Sequence, residues 1–179
     1  MRRSIVPLLL LAPVASCVSS PPVSAPVVVP RTAPVPAPAP PPTPPVLVGD
    51  WPDWPLTPGT WTYRQDSRGS VALFGVAGAD AEVTLRCDRK ADMVYLSRRG
   101  AIAGNSSMVV RTTALVRTLA ARPTGGAPSF MAVALAPGDA VLDAMGYSRG
   151  RFVIEQAGLP VLVVPAWAEI LRVTEDCRS

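Results

Sequence analysis

The stretch AEVTLRC at residues 81–87 alternates without interruption between apolar and polar side chains. Side chains two positions apart on a β-strand point to the same face, so this period of two predicts a strand with one buried and one exposed side. The apolar face consists of Val83, Leu85 and Cys87, and the polar face of Glu82, Thr84 and Arg86. The stretch therefore predicts a sheet that covers a core with one of its faces.

Further strands are predicted by short runs of β-branched and apolar residues between turn residues. These runs lie at residues 70–76, 93–98, 108–119, 129–135, 151–156 and 159–164. Short strands at such close intervals favour antiparallel pairing. We therefore expect a β-rich α+β fold, with a small antiparallel sheet or sandwich of about six to eight strands and two short helices near the C-terminus.

The two helices are predicted from a capping residue and from a change of period. The first runs from Asp139 to about Tyr147, because an aspartate at the N-cap accepts a hydrogen bond from a free helix N–H. The second begins with Pro165 at its first position, where a missing N–H costs nothing. Its apolar face is formed by residues at helical spacing, namely Trp167, Ile170, Leu171, Thr174 and Cys177.

Three tryptophans, Trp51, Trp54 and Trp61, stand among prolines just before the first predicted strand. We expect this segment to lie over the core as the N-terminal edge of the domain. The alternative is a platform on which sugar rings stack.

The N-terminus carries the features of an export signal. Two arginines follow Met1, and residues 5–15 form an apolar run that is too short to cross a membrane as a stable helix. The sequence Val14-Ala15-Ser16-Cys17 then resembles the lipobox of bacterial lipoproteins. This resemblance implies a signal peptide at residues 1–16 and a lipid on Cys17 that holds the mature chain at an envelope membrane.

The same resemblance bears on sorting within the envelope. Val18, and not an aspartate, occupies the second mature position, which implies passage to the outer membrane, facing the periplasm. The alternative is an ordinary secretory signal, which would leave Cys17 as a free thiol.

The chain has three cysteines, so one is left over if the others pair. If Cys17 is lipidated, Cys87 and Cys177 form one disulfide in an oxidising compartment. Both fall on the predicted core-facing sides of their elements. A redox-active pair is the alternative, but the cysteines lack the C-x-x-C spacing.

The segment between Cys17 and the domain is dominated by proline. Residues 21–45 contain twelve prolines, and Arg31 is their only charged residue. Proline fixes φ and lacks an N–H, so the segment defaults to extended polyproline II and reaches on the order of 100 Å at about 3.1 Å per residue. We therefore expect a lipidated spacer at residues 17–49 and one globular domain at residues 50–179, although a docking peptide is an alternative role for the proline runs.

Composition excludes several classes of function. The chain has no histidine, which rules out Ser-His-Asp and Cys-His enzymes. Its formal charge of +4 falls to +2 once Arg2 and Arg3 leave with the signal, with 15 basic and 13 acidic residues remaining. Such a balance argues against nucleic-acid binding. We expect no catalytic activity, no cofactor and no metal.

Two polar clusters remain as candidate sites. Asp139 and Asp143 are four residues apart and could act as a carboxylate pair, or more simply as an N-cap and a first-turn acid. The turn Ser148-Arg149-Gly150-Arg151 could hold an anion through Ser148, Arg149 and Arg151. The alternative is that the two arginines form ion pairs with acids of the C-terminal region, which are Glu155, Glu169, Glu175 and Asp176.

The stretch from residue 144 to 178 contains Ser148-Arg149-Gly150-Arg151-Phe152 and ends with Glu175-Asp176-Cys177-Arg178. It resembles the end of uncharacterised Pro-rich alphaproteobacterial envelope proteins, and the resemblance carries no activity with it. These observations predict a non-enzymatic, lipid-anchored envelope protein that presents an interaction or structural domain on a spacer. Its expected partners are the membrane, through the lipid, and peptidoglycan or another envelope protein. The alternatives are a small cell-wall enzyme that uses carboxylates, and an anion- or glycan-binding module that uses Arg149 and Arg151.

Overall fold

A computed structural model describes residues 47–179; the predicted signal peptide, the lipidation of Cys17 and most of the spacer lie outside these residues. Nine strands and two α-helices make up the described part, preceded by one 3-10 turn at Trp51–Asp53. The strands are β1 Thr60–Asp66, β2 Gly69–Gly75, β3 Val83–Asp88, β4 Met93–Arg99, β5 Ser106–Arg111, β6 Val116–Pro123, β7 Phe130–Leu135, β8 Arg151–Gln156 and β9 Leu162–Pro165. The helices are α1 Ala140–Gly146 and α2 Ala168–Arg178.

The strands form one open sheet in the order β1-β2-β3-β4-β7-β6-β5-β8-β9, and every neighbouring pair is antiparallel. The predicted β-rich α+β class is confirmed. The two edges of the sheet come together, since Thr57, just before β1, exchanges hydrogen bonds with Val163 of β9. The sheet is therefore strongly curved. The Thr57 amide donates to the Val163 carbonyl at 2.9 Å, and the Thr57 hydroxyl accepts from the Val163 amide at 3.0 Å.

The sheet has more strands than the six to eight expected, for two reasons. The run 108–119, predicted as one strand, divides into β5 and β6. The Thr112 hydroxyl accepts hydrogen bonds from the amides of Ala114 and Leu115 and so closes a turn inside a stretch of strand-forming residues. The segment around Trp61, which was expected to lie over the core as the N-terminal edge of the domain, also forms a strand, β1.

Trp61 packs against the core, as expected of that segment, but does so as part of a strand. It is buried in β1, stacks at an angle on Phe74 with 5.4 Å between ring centres, and donates from Nε1 to the Pro165 carbonyl at 2.9 Å. Trp51 and Trp54 remain half-buried in the segment before β1.

The helix predictions are confirmed for α1 and corrected for α2. Asp139 is the N-cap of α1, and its carboxylate accepts from the Val141 amide at 2.9 Å. Pro165 does not begin α2, which starts at Ala168; it ends β9, where it pairs with Arg151. Proline is tolerated there because β9 is an edge strand, so no further strand needs its missing N–H.

One core fills the concave side of the sheet and includes residues of both helices. The predicted faces of the β3 stretch are confirmed, since Val83, Leu85 and Cys87 are buried in that core. The disulfide between Cys87 and Cys177 is present and connects β3 to α2, with 5.4 Å between the Cα atoms. The C-terminal helix is thus held covalently against the sheet.

A polar cluster holds α2 to β1 near the same end of the helix. The Tyr63 hydroxyl donates to the Asp176 carboxylate at 2.6 Å, and the Arg172 guanidinium lies 3.9 Å from the centre of the Tyr63 ring. Burial, the largest single effect, raises the pKa of Asp176. The Tyr63 and Ser70 hydroxyls and the charges of Arg89 and Arg172 outweigh it and hold this pKa below its ordinary value.

The substitution Asp176→Asn is expected to lower the free energy of unfolding at pH 7 by about 1–2 kcal/mol, because hydrogen bonds to a charged acceptor are the stronger ones. A carboxylate with a depressed folded-state pKa contributes stability above about pH 4 and loses it as the pH falls through that pKa. The difference in urea midpoint between variant and wild type should therefore shrink between pH 7 and pH 3. An unchanged difference would contradict this role, and Asp53→Asn, at an exposed aspartate, is the control.

Candidate functional site

The Ser148–Arg151 turn is built around the Ser148 side chain. Ser148 is buried, accepts a hydrogen bond from the Thr113 amide at 3.1 Å and donates to the Arg151 carbonyl at 2.5 Å. The Thr113 hydroxyl in turn accepts from the Arg149 amide at 3.3 Å. The Ser148 proton is therefore used within the turn, and the hydroxyl fixes the backbone that presents Arg149.

The two arginines of this turn have different surroundings. Arg151 is half-buried and donates from Nη1 to the Trp54 carbonyl, which joins the turn to the segment before β1. Arg149 is exposed, and none of the ion pairs among residues 47–179 includes it.

The alternative prediction, ion pairs of these arginines with C-terminal acids, is wrong for the described residues. Glu155 pairs with Arg111 and Glu175 with Arg178. Asp176 accepts from a tyrosine, as described above. Glu169 forms none of the ion pairs among the described residues either.

Two exposed aromatic side chains accompany Arg149. Tyr147, at the end of α1, is 73% exposed, and Trp167, at the start of α2, is 45% exposed. The Ala166 amide donates to the Gly150 carbonyl at 3.2 Å, which brings the start of α2 against the turn. Tyr147, Arg149 and Trp167 together are called the aromatic–arginine corner below. Arginine, tyrosine and tryptophan are the residue types most enriched among the dominant contacts of protein interfaces.

The carboxylates Asp139 and Asp143 are occupied by two different arginines. Asp139 caps α1 and also accepts from the Arg117 guanidinium, whereas Asp143 pairs with Arg178 at 3.0 Å. The arrangement holds β6 and α2 to α1 and does not set two free carboxylates across a cleft. Within residues 47–179, no group of three His, Cys, Asp or Glu side chains could hold a metal ion.

A groove on the convex side of the sheet was not predicted from the sequence. It has a volume of about 280 Å³. It is lined by side chains of β3, β4 and β7, of the β1–β2 turn and of the β6–β7 turn, namely Arg68, Thr84, Arg86, Tyr95, Ser97, Thr124, Phe130 and Ala132. The alternation in β3 identified Thr84 and Arg86 as outward-facing. The pairing of β4 with β7, which completes the groove, has no local signal in the sequence.

None of the helices within residues 47–179 is long and apolar enough to cross a membrane. Comparisons of this chain with protein-family models, with curated proteins and with solved structures find no match.

Proposed function

We propose that this chain is a non-enzymatic, lipid-anchored envelope protein, carried on a Pro-rich spacer and bound to another envelope component through the aromatic–arginine corner. The observation that carries the proposal is the exposure of two aromatic side chains whose backbones adjoin the turn of Arg149, an arginine that has no ion-pair partner among the described residues. The lipobox resemblance and the proline-rich segment support the anchor and the spacer.

The corner is well suited to binding because its backbone is already fixed. Hydrogen bonds from Thr113, Ser148 and Ala166 hold the turn, so a partner would not have to order it. Binding to a pre-organised surface loses less conformational entropy than binding to a flexible one. Arg149 favours a partner with an exposed carboxylate, to which its planar guanidinium can donate two parallel hydrogen bonds.

The segment before β1 lies next to this corner. Arg151, two residues after Arg149, donates to the Trp54 carbonyl, and the Trp54 indole donates to the Gly49 carbonyl at 2.9 Å. Residues 49–54 are thus attached beside the turn that carries the corner.

Photo-crosslinking in cells tests the corner as an interface. A photoreactive residue at position 147 or 167 is expected to give a discrete adduct, which is lost when Arg149→Glu is added. The matched control is the same residue at position 76, whose native valine is exposed but distant in the sheet order, on the β2–β3 turn. Equal adducts at all three positions, or adducts that survive Arg149→Glu, would contradict the proposal.

The anchor is tested separately by the intact mass of the mature chain from native membranes. We expect a diacyl or triacyl adduct on Cys17, and release of the protein from the membrane fraction in Cys17→Ala. An unmodified mass beginning near Ser16 or Cys17 would contradict the anchor.

A further inference from the structure

The groove on the convex side of the sheet has a floor of small side chains. Thr84 of β3 pairs with Ser97 of β4, and Ser97 pairs with Ala132 of β7, so the three residues form a row across three strands. Tyr95 stands two residues to one side of Ser97. Phe130, opposite Arg99 in the register, stands to the other side. The row of small side chains forms the floor of the groove, and one aromatic residue, Tyr95 or Phe130, stands on each side of it.

Ser97 is the buried polar residue of this floor. Its neighbours leave only 8% of the residue exposed. Its hydroxyl takes part in none of the side-chain hydrogen bonds among the described residues, yet it is not one of the fully enclosed atoms without a partner, so it is open to the groove. A hydroxyl that is open to a groove and has no partner in the protein can bind water or a ligand there. Ser97 therefore offers a donor and an acceptor at the bottom of the groove.

Two guanidinium groups lie at the β3 end of the groove. Arg86 donates through Nη1 to Asp66 at 2.9 Å, and Arg68 donates through Nε and Nη2 to Asp88 at 3.1 and 2.5 Å. These contacts leave Nε and Nη2 of Arg86 and Nη1 of Arg68 for another acceptor. The aspartates hold the guanidinium groups in place, so a ligand carboxylate would meet donors that are already oriented.

An extended peptide does not fit this face by strand addition. That mode of binding requires free backbone N–H and C=O groups at a sheet edge. The groove lies across β3, β4 and β7, each of which is paired on both sides. Recognition here depends on side chains, and these are aromatic rings, hydroxyls and guanidinium groups.

From this geometry we propose that the groove binds a sugar ring that carries a carboxylate. A pyranose presents an apolar C–H face to Tyr95 and Phe130 and hydroxyl groups to Ser97 and Thr84, while its carboxylate meets Arg68 and Arg86. Apolar walls with a few placed polar groups are the usual composition of a small-molecule site. The groove goes beyond the aromatic–arginine corner and does not depend on the lipid anchor.

Titration of the full mature chain, followed by NMR, tests this site with two disaccharides that differ in charge. The acidic probe is N-acetylglucosaminyl-N-acetylmuramic acid, and the neutral probe is N,N′-diacetylchitobiose. We expect at least about fivefold tighter binding of the acidic probe, which is the gain typical of a charge-assisted hydrogen bond. Shift changes should concentrate in β3, β4 and β7.

Substitutions distinguish the groove from unspecific binding. Ser97→Leu fills the floor and is expected to weaken binding more than tenfold, whereas Thr118→Leu, a matched replacement of an exposed hydroxyl on β6, should leave it unchanged. Tyr95→Ala removes one wall and serves as the second variant if Ser97→Leu lowers the melting temperature. Equal binding of both disaccharides, or Ser97→Leu and Tyr95→Ala binding as the wild type does, would overturn the proposal. Loss of lipidation or of crosslinking at the corner would leave this result unaffected.

Discussion

Replacement of both disulfide cysteines, in Cys87→Ala/Cys177→Ala, is expected to lower the free energy of unfolding by about 4–5 kcal/mol. The bridge joins residues 90 positions apart, and in the chain-entropy model a closed loop of this length restricts the unfolded chain by that amount. Domains of this size are commonly stable by only about 5–15 kcal/mol, so the loss is a large fraction of the total. Urea denaturation followed by circular dichroism measures it.

Reduction of the wild-type disulfide is the control for this prediction, because it opens the bridge without changing the core volume. Both treatments should move the urea midpoint by the same amount. Hydrogen exchange should also rise most in α2, where the remaining contacts of Ile170 and Val173 with the core no longer have covalent support. A decrease of less than about 1 kcal/mol in the free energy of unfolding, both in the variant and in the reduced wild type, would show that the restriction of the unfolded chain contributes little to stability.

The substitution Arg98→Met is expected to raise the free energy of unfolding by about 1–4 kcal/mol, although it removes a hydrogen bond. Arg98 is only 1% exposed on the core side of β4. Its Nη2 donates to the Pro160 carbonyl at 2.7 Å, whereas Nε and Nη1 have no partner among the described residues. A methionine of similar length would occupy the space without a charge to bury.

The pKa of Arg98 gives this prediction a second measurement. Burial lowers the pKa to about 10, and the nearby Glu82 carboxylate offsets only part of that effect. The folded state therefore binds fewer protons than the unfolded state from about pH 10 up to the ordinary pKa of arginine. The contribution of Arg98 to the free energy of unfolding of the wild type should therefore increase as the pH rises through that window. The variant Arg98→Met should not show this increase.

The neighbouring arginine is a matched control for Arg98. Arg99 is exposed on the opposite face of β4 and pairs with Glu82, so Arg99→Met should change stability by no more than about 1 kcal/mol. A loss of more than 1 kcal/mol in Arg98→Met would mean that the bond to Pro160, which holds the turn between β8 and β9, outweighs the cost of burying the charge. That outcome would make Arg98 a structural support of the turn.

The sequence by itself determined those features whose physical cause is local. The strict alternation at residues 81–87 defined the two faces of β3 because successive side chains of a strand point in opposite directions. Asp139 identified the start of α1 because its carboxylate satisfies an amide two residues away. The phases of the strand and the helix placed Cys87 and Cys177 on core-facing sides, and their bridge was predicted on the condition, implied by the lipobox resemblance, that Cys17 is lipidated.

Only the tertiary structure decided the features that depend on contacts between distant parts of the chain. The run 108–119 has strand propensity throughout, so the turn closed by Thr112 was hidden, and the buried position of Trp61 depends on a carbonyl in β9. Ser148 appeared available to a ligand until the fold brought Thr113 to it. The groove requires β4 to pair with β7, and the free energy of such pairing comes from burial shared across the whole sheet, which no short stretch of sequence encodes.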